Sequence, residues 1–462
     1  MRPFRGSSKS IGSGTAIGGP GRKRVEGPSH QFTKGPFMLK RIIPVEREEW
    51  GPVFLATAYG FLILFSYYIL RPVRDEISVA DRGNLQLLWT AVFLVMLVAV
   101  PFYSTFVSRY SRGVFIPWAN RFFGSNLLLF YAALELLPLE ARPWIDRVFY
   151  VWTSVFALFV VAVFWGFMVD LFRNQQGKRV FGLIAVGSSL GGIAGSFLTT
   201  QIASLVPVFV LLLLAAIPLE VAAWLAWFLH RKAGVGQTTL RVEEEERIPG
   251  TAWSGIGLVL RSPYMGMIAA YIFLMTFAST ILYFQQADLV GQAFGDDRGA
   301  SREFLAWIDF YTNILTILVQ GFLAAHLLRW LGIGLSLAFL PALAFLGFLS
   351  LGTYPLLAVL VVLQVLYRTG RYAVARPARE VLYTVVGREE RYKSKAFIDA
   401  AVYRGGDTVN GWIYSGLQAL GLGVGAIALV AVPVMGVWVA IGIFLGRAQE
   451  ERRKGWVDEK PA

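Results

Sequence analysis

VFVLLLLAAIPLEVAAWLAWF, residues 208–228, decides the fold class. It is apolar on every side, broken only by Pro218 and Glu220, so no face of a helix made from it suits water. About 20 such residues, rising ~1.5 Å each, cross the ~30 Å hydrocarbon core of a bilayer. Comparable runs recur in both directions, from about 50–71 to about 424–446, and predict twelve spans. A polar interruption at 230–262, holding Glu243–Glu246 and Pro249-Gly250, divides them six plus six. The reading is an all-α polytopic membrane protein with two six-helix bundles, 38–229 and 263–446, joined by a cytoplasmic linker at 230–262. Residues 1–37, rich in Gly, Ser, Lys and Arg, read as a disordered basic tail, and 447–462 as a cytoplasmic tail. Met38 opens an amphipathic segment and is a second candidate for the start of translation.

Composition agrees. Of 462 residues 56% are hydrophobic and 16% charged, where soluble chains carry about a quarter charged. With no cysteine, disulfide scaffolds, thiol catalysis and Cys-ligated metals are excluded. His30, His230 and His326 are far apart, so neither a metal nor another cofactor is expected. The net charge of +13 does not indicate nucleic acid, because the basic residues flank apolar spans, as cytoplasmic loops of membrane proteins do. Only Arg71, Arg74, Arg82, Arg142, Arg147, Arg298 and Arg302 fall in expected exterior loops, against 34 of the 43 Lys and Arg in cytoplasmic segments, which predicts both termini inside. A bacterial inner membrane or a plastid-type envelope fits.

The halves carry traces of duplication. FLILFSYYIL at 61–70 and FLMTFASTIL at 273–282 share five positions at a constant offset of 212 residues. Repeated halves around a midplane site are how many secondary transporters are built. Gly187, Gly191 and Gly195 place small residues on one helical face, suited either to close static packing or to sliding.

Ionised groups within spans each cost about 2.5–3.5 kcal/mol near the bilayer centre, so each needs a partner or a purpose. Arg121 in the third span, Glu220 in the sixth, and Arg404, Asp407 and Asn410 along one face of the eleventh are such groups, with Asp399 a turn earlier. Two basic clusters stand out. Arg71-Pro-Val-Arg74-Asp75-Glu76 closes the first span, and Arg368, Arg371, Arg376, Arg379, Arg388, Arg391, Lys393 and Lys395 crowd the segment between the tenth and eleventh. Guanidinium forks match phosphate and carboxylate oxygens. They point to a small anionic solute, although the second cluster also fits the ordinary positive-inside signal. Asp75, Glu220, Asp399 and Asp407 are the candidates for coupling or ion pairing.

At these clusters the chain resembles the nucleotide (ATP/ADP) translocases of plastids and intracellular bacteria, distant relatives of the major facilitator superfamily. Tyr68-Ile-Leu-Arg71-Pro-Val-Arg74-Asp75 is similar to that family's Y-x-I-L-R-x-x-K-D, with Arg74 in the lysine position. Phe164-Trp165-Gly166-Phe167 with Lys178-Arg179, Arg376-Pro377-Ala-Arg379-Glu380-Val-Leu-Tyr383, and Lys393-Ser-Lys395-Ala-Phe-Ile-Asp399 continuing to Arg404-Gly405 resemble three further motifs. The family's acidic residue in helix four falls on Ser154, and its D-P-x-K-E aspartate on Arg376. The resemblance implies a facilitator-like fold, transporter activity, and Arg74, Arg379 and Glu380 as solute-binding residues, with Arg71 and Lys395 behind them. Arg121 and Arg404 join them from the charge reading.

The function expected is a secondary transporter, not an enzyme, that moves an anionic, nucleotide-type or phosphorylated solute by alternating access, with nucleotide antiport one form of it. It is expected to act as a monomer among membrane lipids. The alternatives are a polytopic glycosyl- or acyl-transferase, whose exterior carboxylates would be Asp296-Asp297, and a non-transporting scaffold or lipid scramblase on the same fold.

Overall fold

The computed structural model describes residues 49–109, 112–172, 174–234 and 255–458. The tail at 1–37, Met38, most of the 230–262 linker with its acidic run, and residues 459–462 lie outside them. Every described regular element is helical. The first six are α1 (Trp50–Ala80), α2 (Leu85–Arg109), α3 (Arg112–Leu136), α4 (Arg142–Leu171), α5 (Asn174–Ile202) and α6 (Val208–Gly234). A short α7 (Gly255–Arg261) leads into α8 (Pro263–Phe294), α9 (Arg298–Leu318), α10 (Ala324–Thr353) and α11 (Leu357–Gly370). Then come α12 (Arg376–Leu382), α13 (Arg388–Phe397), α14 (Tyr403–Ala419) and α15 (Val424–Asp458). Single π-helical turns, Val319–Leu323, Arg371–Ala375 and Ile398–Val402, join α9 to α10, α11 to α12, and α13 to α14.

Among the described residues ten helices are long and apolar enough to cross a membrane. The expected third and eleventh spans are not among the ten. They fall on α3, where Asn120 and Arg121 interrupt the apolar run, and on α13–α14, where Arg404, Asp407 and Asn410 do.

Helix α1 also departs from the expectation. The sequence puts the end of the first span at Arg71 and places Arg71 and Arg74 in an exterior loop. The helix instead continues through Pro72 to Ala80, so both arginines sit inside it, about 14 Å and 9 Å before its end at 1.5 Å per residue. Proline costs a helix one hydrogen bond. Here the segment is kept helical by burial of Ile69, Leu70, Val73 and Ile77. The last expected span likewise runs on, with α15 taking in most of the expected C-terminal tail.

The glycine face of α5 packs on α1. A Cβ at Gly191 or Gly195 would overlap the backbone carbonyl of Phe61 or Phe65, which is the close static packing the spacing allows. In the C-terminal part, Gly334 of α10 and Gly446 of α15 approach backbone to backbone in the same way. Gly191→Val must push α5 off α1, and overpacking of this kind costs about 1–3 kcal/mol. The expected outcome is a clearly lower thermal-unfolding midpoint in detergent, and a variant melting like the wild type would refute the seam. Ser262 caps α8 by accepting from the Met265 amide, Asp297 caps α9 at 2.9 Å from the Ala300 amide, and Gly295, at φ 57°, makes the tight turn between them.

Candidate functional site

A cavity of about 330 Å³ lies among α1, α2, α4, α8, α11 and α14. Arg71 and Arg74 of α1, Arg368 of α11, Arg371 of the following π turn and Arg404 of α14 all face it, interleaved with tyrosines and Trp89. Three-residue spacing puts Arg71 and Arg74 on one face of α1, and Arg368 and Arg371 on one face of their rod.

The carboxylates are set among these arginines. Asp309 of α9, 1% exposed, holds Arg71 at 3.3 Å and Arg368 at 2.7 Å through the same oxygen. Asp75 takes Arg74 at 2.6 Å and Arg71 at 3.6 Å, and accepts the Tyr283 hydroxyl at 2.9 Å. Tyr150 donates to Tyr283 at 3.2 Å and accepts from the Trp89 indole at 2.8 Å. The Arg74 guanidinium lies 5.7 Å and 5.8 Å from the ring centres of Tyr150 and Tyr283. Arg404 and Asp407 are 4.0 Å apart. Arg371 packs against the rings of Tyr372 and Tyr403, and among the described residues no carboxylate lies within ion-pair distance of it. Five guanidiniums (Arg71, Arg74, Arg368, Arg371, Arg404) therefore face three carboxylates (Asp75, Asp309, Asp407), leaving two positive charges over. Two buried donors, Arg71 Nε and Arg368 Nε, make no hydrogen bond, although Arg71 Nε lies 3.6 Å from Asp75. A low-dielectric pocket in this state favours an anion with several acceptor oxygens.

The remaining sequence-derived residues lie elsewhere. Arg379, Glu380 and Lys395 form a separate cluster on α12 and α13, with Lys395 2.5 Å from Glu380 and Arg379 3.8 Å from it; Asp399 follows in the next π turn. Arg121 and Glu220 pair at 3.1 Å on the outer face of α3 and α6, away from the cavity. Asp297, half of the carboxylate pair considered for an enzyme, is used as the cap of α9. Asp309, Tyr150 and Tyr283 were not picked out by sequence. Asp309 had a usable signal, an acid inside an expected span, whereas the two tyrosines are indistinguishable there from packing aromatics.

Polar contacts between the N-terminal and C-terminal helices gather beyond the cavity, at the end where α1 finishes. Arg298 of α9 pairs with Glu76 of α1 and, at 2.8 Å, with Asp146 of α4, which Arg142 also holds at 3.2 Å. Trp412 of α14 donates to Thr90 of α2 at 3.0 Å. At the same end Arg147 binds Asp81 at 2.7 Å. Partial burial disfavours the Asp81 carboxylate, but hydrogen bonds from Arg147 and Asn84 outweigh it and hold its pKa below the usual aspartate range.

No family model matches the chain. It is 20% identical to "ADP,ATP carrier protein 1" of Chlamydia pneumoniae, covering 91% of this chain and 96% of that protein, and 21% identical to the Chlamydia trachomatis protein of the same name, covering 88% and 91%. Among solved structures the nucleoside transporter NupG has a TM-score of 0.58 at 12% identity, covering 87% of this chain and 99% of that one. A bacterial homologue of the human lysosomal transporter Spinster, inward-facing and unoccupied, scores 0.56 at 12% identity, covering 90% and 99%. The fold is that of major-facilitator-type transporters, and the chain is an integral, multi-pass membrane transporter, not an enzyme. Within that class it is a divergent relative of the nucleotide (ATP/ADP) translocases, matched along nearly its whole length.

Proposed function

We propose that the protein is a secondary transporter that carries an anionic, nucleotide-type or phosphorylated solute through the central cavity by alternating access. The observation carrying this reading is the excess of guanidinium over carboxylate around an aromatic-walled cavity of about 330 Å³. Arg71 and Arg74 from the N-terminal bundle and Arg368, Arg371 and Arg404 from the C-terminal bundle neutralise the solute from both sides. Tyrosine and tryptophan rings offer flat apolar surface to a base or sugar. The relatives' name, ADP,ATP carrier, supports nucleotide exchange as the mode.

In this reading α3 and the α13–α14 rod also cross the membrane, making twelve spans in two six-helix bundles with both termini cytoplasmic. The end sealed by Glu76, Asp146 and Arg298 is then the exterior. Opening to that side has to break the Arg298 pairs and the Asp75–Tyr283 hydrogen bond. An anion that engages Arg74 competes with Asp75 for that guanidinium, which is the route by which occupancy reaches this seam.

Uptake or counter-exchange of labelled nucleotides and phosphate esters in proteoliposomes tests the proposal. Failure to move any of them, with no thermal shift from any, would sink it. Arg298→Ala weakens the seal, and because the chain has no cysteine, a single Ser154→Cys in the cavity reports on it. Labelling by a membrane-impermeant maleimide from outside is expected to rise severalfold with Arg298→Ala. Unchanged labelling would show that Arg298 does not hold that end shut.

A further inference from the structure

Arg121 and Glu220 are an ion pair in an unusual place. α3 and α6 run antiparallel, as the Tyr131–Phe209 ring contact at 5.7 Å, the Gly124–Leu219 approach and the Arg121–Glu220 pair show in succession. Arg121 lies fifteen residues before Leu136 and Glu220 twelve after Val208, so at 1.5 Å per residue both sit about 20 Å below the same end of the bundle. Counted from that end, the depth is about 5 Å past the middle of a ~30 Å hydrocarbon layer. Their side chains are nonetheless 45% and 50% exposed, among Trp118, Phe122, Ile217 and Trp224, which also face outward.

The pair is not saturated. Arg121 donates to both Glu220 oxygens through Nε alone, and its Nη groups have no partner among the described residues. Trp224 lies under the guanidinium at 5.6 Å. Ionised groups facing lipid cost about 2.5–3.5 kcal/mol each on insertion scales, and a pair left half bonded recovers only part of that. The face therefore needs a polar partner inside the membrane.

We infer that this partner is a second copy of the chain, related by a two-fold axis along the membrane normal. A cation and an anion side by side at one depth are self-complementary under that rotation: the free Nη groups of Arg121 in one copy meet Glu220 in the other, and the reverse. No foreign partner of opposite charge pattern is required. The outward aromatics supply the apolar core that such interfaces favour. Beside them an apolar groove of about 1510 Å³ between α2 and α3, walled by Val98, Phe102, Trp118, Phe122 and Trp152, can receive the partner's protruding rings. This assignment is independent of the transported solute, rests on the reading that α3 crosses the membrane, and differs from the monomer expected from sequence.

The absence of native cysteine makes the test clean. Ile217→Cys, on this face, is expected to give an oxidative cross-link at twice 51.2 kDa in native membranes, and Leu335→Cys, exposed on α10, none. Charge reversal is the sharper arm. Arg121→Glu and Glu220→Arg each place like charges across the axis and are expected to lose the dimer in lipid nanodiscs, while co-expression of the two restores a mixed dimer. A bound lipid or an unrelated protein cannot produce that rescue. A wild-type chain that stays monomeric in nanodiscs, an Ile217→Cys chain that cross-links to something else or not at all, or reversals that do not complement each other would each overturn the assignment. Should the reversals misfold, the Ile217→Cys result decides.

Discussion

Asp309→Asn is expected to destroy or severely destabilise the folded protein. The carboxylate is buried, and through one oxygen it neutralises Arg71 from α1 and Arg368 from α11. It thereby ties the N-terminal helices to the C-terminal ones at the floor of the cavity. Removing one partner of a buried pair costs about 3–5 kcal/mol, because the surviving charge is left desolvated. Arg368 is stranded outright here, while Arg71 keeps Asp75 at 3.6 Å. Against total stabilities of about 5–15 kcal/mol that loss is decisive. Size-exclusion profiles and thermal unfolding in detergent give the measurement. Combining Asp309→Leu with Arg368→Met restores the wild-type net charge around the cavity, leaving Arg71 with Asp75 at 3.6 Å, and is expected to recover much of the fold without recovering transport. An Asp309→Asn protein that melts like the wild type would show that water or lipid reaches these arginines.

Arg74→Ala is expected to do the opposite: leave the fold and abolish transport. Arg74 lines the cavity, and its deletion leaves Asp75 still held by Arg71 and Tyr283. No charge is stranded, so insertion and melting should stay close to wild type. What is lost is a charge-assisted contact to the solute. Each such hydrogen bond is worth about 1.5–3 kcal/mol, and two from one guanidinium correspond to a fall in uptake of roughly a hundredfold or more. Arg74→Lys keeps the charge but not the fork, and a lysine is what the resembled motif carries there, so it should retain measurable activity. Wild-type uptake by Arg74→Ala would remove Arg74 from the solute path.

Much of the fold was legible because a bilayer leaves few choices. Runs such as 208–228 have no polar face, and ten of the expected spans are helices of the required length and apolarity. The reading failed where partners are remote. Arg71 to Glu76, next to a proline, looks like the close of a helix when only neighbours along the chain are considered. Its charges are instead met by Asp309, Tyr283 and Arg298, more than two hundred positions away, and the helix runs through. The pairing of Arg121 with Glu220, 99 residues apart, is hidden in the same way: along the sequence each is an isolated charge within a span, and neither suggests the other. In sequence Arg368 and Arg371 group with the loop cations, because a compositional signal does not show which arginines of a cluster turn inward. Arg379, Glu380 and Lys395, selected by resemblance, sit together but apart from the cavity, so a shared motif located a cluster without revealing its relation to the cavity.

The π turn at Arg371–Ala375 is a phase shifter. A single turn of this kind holds one residue more than an α-turn, and one residue is about 100° of rotation. Deleting it would leave Arg368 where it is and swing Arg376, Arg379 and everything to Leu382 about a quarter of the way round the rod. A lineage carrying such a step can redirect a whole bank of cations by one codon gained or lost, a route to new cargo that comparison of substitutions alone would miss.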